Sequence, residues 1–106
     1  MIMSTILKTI IEHKKKEIQK LPSLDTSTLS LSNRDFEKSL KKHSSKDLPH
    51  LIAEIKPRSP SQGEILSPEI DISDYAKTLQ DQGASALSVL TDAHFFGGSF
   101  ENLSKA

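Results

Sequence analysis

The chain has 106 residues, 35% of them hydrophobic and 26% charged, with 14 Lys and Arg against 14 Asp and Glu and no cysteine. That is the size of one small domain. It excludes disulfides, thiolate metal sites and a cysteine nucleophile, and no apolar run approaches the roughly 20 residues that span a bilayer.

Lys8 and Glu12 interrupt the apolar start, so no secretory h-region is expected. A cytoplasmic setting is expected, compatible with the absence of cysteine. Residues 4–20 predict an amphipathic helix: Ser4 or Thr5 can cap it, and Leu7, Ile11 and Ile18 share a stripe widened by Ile6 and Ile10. Its Lys14-Lys15-Lys16 run belongs to a basic half, since 11 of the 14 Lys and Arg lie in residues 1–56. No aromatic residue interleaves with those lysines, so they read as a solvated helix face and no nucleic acid is expected as a partner. Leu21-Pro22 ends the helix, because the residue before a proline is pushed out of the α region.

Residues 22–31 have turn chemistry without a period and read as a connector. A short helix is expected from Asn33 to about Lys42, with Ser32 and Asp35 resembling a capping box and Phe36 and Leu40 forming an i,i+4 pair. His43 to Pro49 reads as a polar linker. The first strand follows at about 50–56. In it Glu54 and Lys56 share a face with Ile52, while Leu51, Ala53 and Ile55 share the other.

Pro57, Pro60, Gly63 and Pro68 together argue against any regular element up to Glu69. Helix is expected again from Asp71 or Ser73, burying Ile72, Ala76 and Leu79 flanked by Tyr75, with Gly83 in the left-handed position past its end. A second strand is expected over Ala84–Leu90. A loop follows to Gly98, and Ser99 caps a further helix.

From residue 50 the order is therefore strand, loop, helix, strand, loop, helix. Such alternation implies a parallel sheet with right-handed crossovers. Both strands are nearly all apolar, as strands covered on both faces are. Two strands are too few for an independent sheet, and a (β/α)₈ barrel of about 250 residues is the most economical completion. The expected organisation is an amino-terminal helical extension and linker over 1–49, then the first two βα units of an incomplete barrel over 50–106.

The chemistry to weigh first is Glu54 with Lys56. Two residues apart on a strand lie roughly 6.5–7 Å apart at the backbone, so their heads can meet one substrate from one wall. A plain ion pair at the strand's exit is the alternative. Charges on so apolar a strand are costly to bury unless something uses or neutralises them. The loop Arg58-Ser59-Pro60-Ser61 adds a guanidinium and hydroxyls suited to a carboxylate or phosphate, although it reads equally as a surface turn. The four histidines, at 13, 43, 50 and 94, are spaced unlike a ligand set, so no metal is expected.

Ile52-Ala-Glu-Ile-Lys-Pro-Arg-Ser-Pro-Ser61 followed by Gly63 resembles the first barrel strand and loop of the indole-3-glycerol-phosphate synthase family. Ala86-Leu-Ser-Val-Leu-Thr-Asp-Ala-His-Phe-Phe-Gly-Gly-Ser99 resembles its second strand and loop, and the amino-terminal helices resemble the extension that precedes its barrel.

The resemblance implies a TIM-barrel lyase of tryptophan biosynthesis. It would convert 1-(2-carboxyphenylamino)-1-deoxyribulose 5-phosphate to indole-3-glycerol phosphate, CO₂ and water without cofactor or metal. It implies proton transfer for Glu54, and carboxylate contact with acid/base steps for Lys56. It places Arg58 and Ser59 near the substrate carboxylate, and Pro60, Leu90 and Phe96 around the aromatic ring. Phe95 is expected to pack in the core. Two positions depart from the family's pattern, which often has a basic residue where Pro57 and His94 stand.

The family's principal general-acid lysine on the third strand, a second glutamate, an asparagine and the phosphate site lie beyond residue 106 in this resemblance. Residues 1–106 are therefore expected to be inactive alone, as a fragment. A noncatalytic, partner-binding remnant and another phosphate-binding barrel enzyme of the same pathway are the alternatives.

Overall fold

A computed structural model describes residues 5–41 and 49–106. The chain divides into two compact units, residues 1–33 and 34–106.

In the first unit, α1 spans Thr5–Gln19. It is held locally by the Thr9 hydroxyl donating to the Thr5 carbonyl and by Lys14 pairing with Glu17 at 3.0 Å. Ser4, one of the two expected caps, lies outside the described residues, and Thr5 is already the first helical residue. The connector holds one 3₁₀ turn, Thr26–Thr28, which its lack of period did not announce. Asp25 caps it, its carboxylate accepting from the Ser27 N–H at 3.0 Å and the Ser27 hydroxyl at 2.6 Å. These bonds favour the charged form and lower the Asp25 pKa, the hydroxyl contributing most.

The second unit begins with α2, Phe36–Lys41. It starts later than expected because Asp35, not Ser32, is the cap: its carboxylate accepts from the Lys38 N–H at 2.9 Å. The expected linker falls mostly on residues outside the description.

Strand β1, Ile52–Ile55, then pairs in parallel with β4, Ala86–Val89, in the register Ile52↔Ala86, Ala53↔Leu87, Glu54↔Ser88, Ile55↔Val89. Arg58–Ser59 (β2) and Gly63–Glu64 (β3) form a small antiparallel hairpin where no regular element was expected. The breakers flank or fill its turn and leave the ladder intact. Pro57 precedes β2 and its carbonyl accepts from Ile65 and Leu66. Pro60 lies in the turn over residues 60–62, and Gly63, the first residue of β3, takes a left-handed φ of +68° that glycine adopts without strain.

The crossover helix α3 is Ile72–Asp81, capped by Asp71, whose carboxylate accepts from the Asp74 N–H at 3.0 Å. At its far end Gly83 has φ +112°. The Ala84 N–H reaches the Leu79 carbonyl and the Gly83 N–H the Gln80 carbonyl, the paired bonds of a Schellman ending. Helix α4, Phe100–Lys105, is capped by Ser99 as expected and packs beside α3, with the Ser73 hydroxyl donating to the Lys105 carbonyl at 3.3 Å.

Ile55, fully buried, is the centre of the core with Ile72 and Ala76 of α3; Leu87, Val89, Tyr75 and Leu79 pack around them. By alternation, Ala53, Ile55, Leu87 and Val89 form the sheet face that α3 covers. The expectation of strands covered on both faces holds for that face only: Ile52, on the other, is 52% exposed. The architecture of the second unit is thus α/β, a parallel pair with α3 against one face and α4 beside α3. No helix among the described residues is long and apolar enough to cross a membrane.

Candidate active site

Glu54 and Lys56 leave the carboxyl end of β1 on the side opposite Ile55. Lys56 Nζ lies 3.4 Å from Glu54 Oε1, and the side chains are 33% and 46% exposed. A pair this open to water contributes roughly 0–1 kcal/mol to stability, so it does little to hold the fold. The second carboxylate oxygen, Oε2, has the Ser88 hydroxyl 3.4 Å away as donor. Ser88 stands in β4 directly opposite Glu54. Its link to Glu54 needs the interstrand register, which alternation within one strand does not contain.

The loop after β1 is built on Ser59, which is buried. Its hydroxyl accepts from the Gln62 N–H at 3.1 Å and lies 3.4 Å from the Ser61 hydroxyl, closing the hairpin turn in which Pro60 stands exposed. Arg58 turns elsewhere. Its Nη2 donates to the carbonyls of both Ala93 and His94 at 3.0 Å, and its own N–H donates to the Phe96 carbonyl at 3.1 Å.

The loop after β4 wraps around a residue that drew no attention in the sequence. Asp92 is buried, and its carboxylate accepts from the N–H groups of Phe95 at 2.7 Å and Phe96 at 3.2 Å. Its own carbonyl accepts from Gly98 at 2.7 Å. An Asp ahead of such a turn is a recognisable side-chain-to-backbone signal, and it was the one available. Gly98 is required by close approach: a Cβ there would lie 1.9 Å from the Leu90 carbonyl oxygen. Leu90 continues the ladder through its N–H to the Ile55 carbonyl at 3.1 Å, and Leu90 and Phe96 are half-buried. Phe95, expected in the core, is also half-buried and meets the His94 ring edge-on at a centroid distance of 4.5 Å.

The structure thus gathers Glu54, Lys56 and Ser88 at one place on the open sheet face. The two flanking loops, carrying Ser59 and Pro60 on one and Phe96 on the other, are joined by Arg58. A separate open cleft of about 460 Å³, lined by Arg58, Glu64, Glu69, Asp71, Asn102 and Lys105 among others, takes in neither Glu54 nor Lys56.

The family model for indole-3-glycerol phosphate synthase matches residues 3–106. Among curated proteins, the indole-3-glycerol phosphate synthase of Lactococcus lactis subsp. cremoris is 42% identical over 97 residues, covering 92% of this chain and 35% of that protein. The Bacillus cereus protein of the same name is 41% identical over 107 residues, covering 98% and 39%. That of Microcystis aeruginosa is 43% identical over 105 residues, covering 92% and 34%. The chain therefore spans somewhat over a third of the length of the curated relatives it matches.

Proposed function

Since the chain belongs to the indole-3-glycerol phosphate synthase family, we propose that residues 50–106 are the first two βα units of that family's barrel and carry one wall of its active site. Residues 1–49 are then the helical extension and linker before it. On this reading the open face of β1 and β4 is the barrel interior, and the loops after both strands line its mouth, where (β/α)₈ enzymes hold their chemistry.

The observation that carries the proposal is the meeting of Glu54 and Lys56 on the face that α3 leaves open, at the carboxyl end of a parallel strand. In the implied reaction the aromatic carbon bearing the carboxylate attacks the protonated ribulose carbonyl. Loss of CO₂ then restores part of the ring's unsaturation, and loss of water completes the indole. The substrate's own amine supplies the electron push.

Lys56 would hold the substrate carboxylate and take part in acid/base steps, and Glu54, steadied by Ser88, would move a proton at the reacting centre. Ser59 would lie near the carboxylate, and Pro60, Leu90 and Phe96 would wall the aromatic ring. Residues 1–106 hold this wall without the later-strand groups that the resemblance implies, so on this reading they do not turn over alone.

The test is a chimera in which residues 1–106 replace the matching portion of the Lactococcus lactis relative. Formation of indole-3-glycerol phosphate by the chimera, and none by residues 1–106 alone, is the expected result. A folded chimera without turnover would overturn the proposal.

A further inference from the structure

We infer that Arg58 is a positioning residue, a latch that fastens the loop after β1 to the loop after β4 and thereby sets Phe96 beside Ser59 and Pro60. Three attachments leave this one residue for a segment some 35 residues away. Both N–H groups of Nη2 are committed to the Ala93 and His94 carbonyls, and the backbone N–H is committed to the Phe96 carbonyl. The aliphatic stem lies over Gly97, where a Cβ would come within 3.2 Å of Arg58 Cγ. Gly97 has a φ of +65°, so an alanine there would be strained as well as crowded.

The receiving side is built to match. The Asp92 carboxylate accepts from the Phe95 and Phe96 N–H groups while its own carbonyl accepts from the Gly98 N–H, and the Gly97 N–H donates to the Ala93 carbonyl. That tight turn presents the Ala93 and His94 carbonyls to one planar guanidinium. Bonds from a charged donor are roughly twice as strong as neutral ones, and a fork suits two acceptors better than an ammonium does. The edge of Arg58 that would face a substrate carboxylate therefore excludes Nη2, and the side chain acts through Phe96 and its neighbours. Only the consequence for the aromatic wall rests on the proposed function; the latch itself does not.

Amide hydrogen exchange on the substrate-free chimera tests it, comparing the parent with Arg58→Ala, Arg58→Met and Arg58→Lys. Met keeps the stem over Gly97 and loses the donors. Both Ala and Met are expected to speed exchange at Phe95, Phe96, Gly97 and Gly98 by roughly tenfold or more through local opening, with the α3 amides unchanged and Lys recovering part of the protection. Parent-like exchange at those four amides in the Met variant would overturn the latch. So would an equal acceleration across α3, which would make Arg58 a general stabiliser. Should the Ala variant fail to fold, the Met and Lys variants decide. No substrate enters the measurement, so its result stands apart from whether the chimera turns over.

Discussion

The two faces of the β1–β4 pair are made by alternate residues of the same eight-residue ladder, yet they differ in almost every property. One face, Ala53 and Ile55 with Leu87 and Val89, lies under α3 and contains the only fully buried large side chain among the described residues, Ile55. The other holds Glu54 and Ser88, with Lys56 just past the strand end, and stays open. The first face holds the fold through burial. The second contributes little to stability, because its charges remain largely in water, and is free to serve chemistry.

The largest expected effect lies on the open face. In the chimera described above, Lys56→Ala should lower turnover by roughly 10²–10⁴-fold, the usual contribution of a positioned acid or base, while its urea midpoint stays near the parent's. Unaltered steady-state rates would reduce Lys56 to a surface cation. Next comes the covered face, where the converse should hold. Ile55→Ala should cost about 2–5 kcal/mol in urea unfolding, as removal of a buried Ile does, and an unchanged midpoint would show that α3 does not pack on Ile55.

A smaller loss is expected at the helix that makes the difference between the faces. Asp71→Ala removes the cap on the Asp74 N–H and should cost about 0.5–2 kcal/mol, with Asp71→Asn recovering most of it. Equal stability of the Ala variant would contradict the cap. The smallest effect lies in the other unit. Asp25 has a lowered pKa because the Ser27 hydroxyl and N–H bond to its charged form. Its contribution to the Thr26–Thr28 turn is therefore present above the ordinary aspartate range and lost as pH falls through the lowered value. An NMR titration of the Ser27 amide should follow that loss below pH 3.8, the ordinary value; a midpoint above it would reverse the sign.

Much of this was legible along the chain because its causes are local. The stripe Ile72, Ala76 and Leu79, the cap Ser99 and the left-handed Gly83 all act within one or two helical turns, and each took its expected place. The 58–64 hairpin was not legible, since proline and glycine spacing records where a ladder must stop but not the short run that fits between the stops. Asp35 displaced Ser32 as cap for a related reason: two capping residues three apart each define a helix start, and the chain used the later one.

At the site, parity along β1 put Glu54 and Lys56 together from sequence alone. Ser88 as the partner of Glu54, Asp92 as the organiser of its loop, and the destination of Arg58 were not readable in the same way. The first and last depend on what lies more than 30 residues away.

By itself, then, the amino-acid order determined the alternation of strand and helix, the ends of α3 and the start of α4, and the shared side of the acidic and cationic residues, because each depends on neighbours a few positions apart. Tertiary structure alone decided which side of β1 would be covered, which residue of β4 would stand opposite Glu54, and that a guanidinium suited to an anion would bind two backbone carbonyls. Those outcomes depend on parallel register and on the folding of one loop against another, and contacts between distant segments leave no periodic trace in either segment.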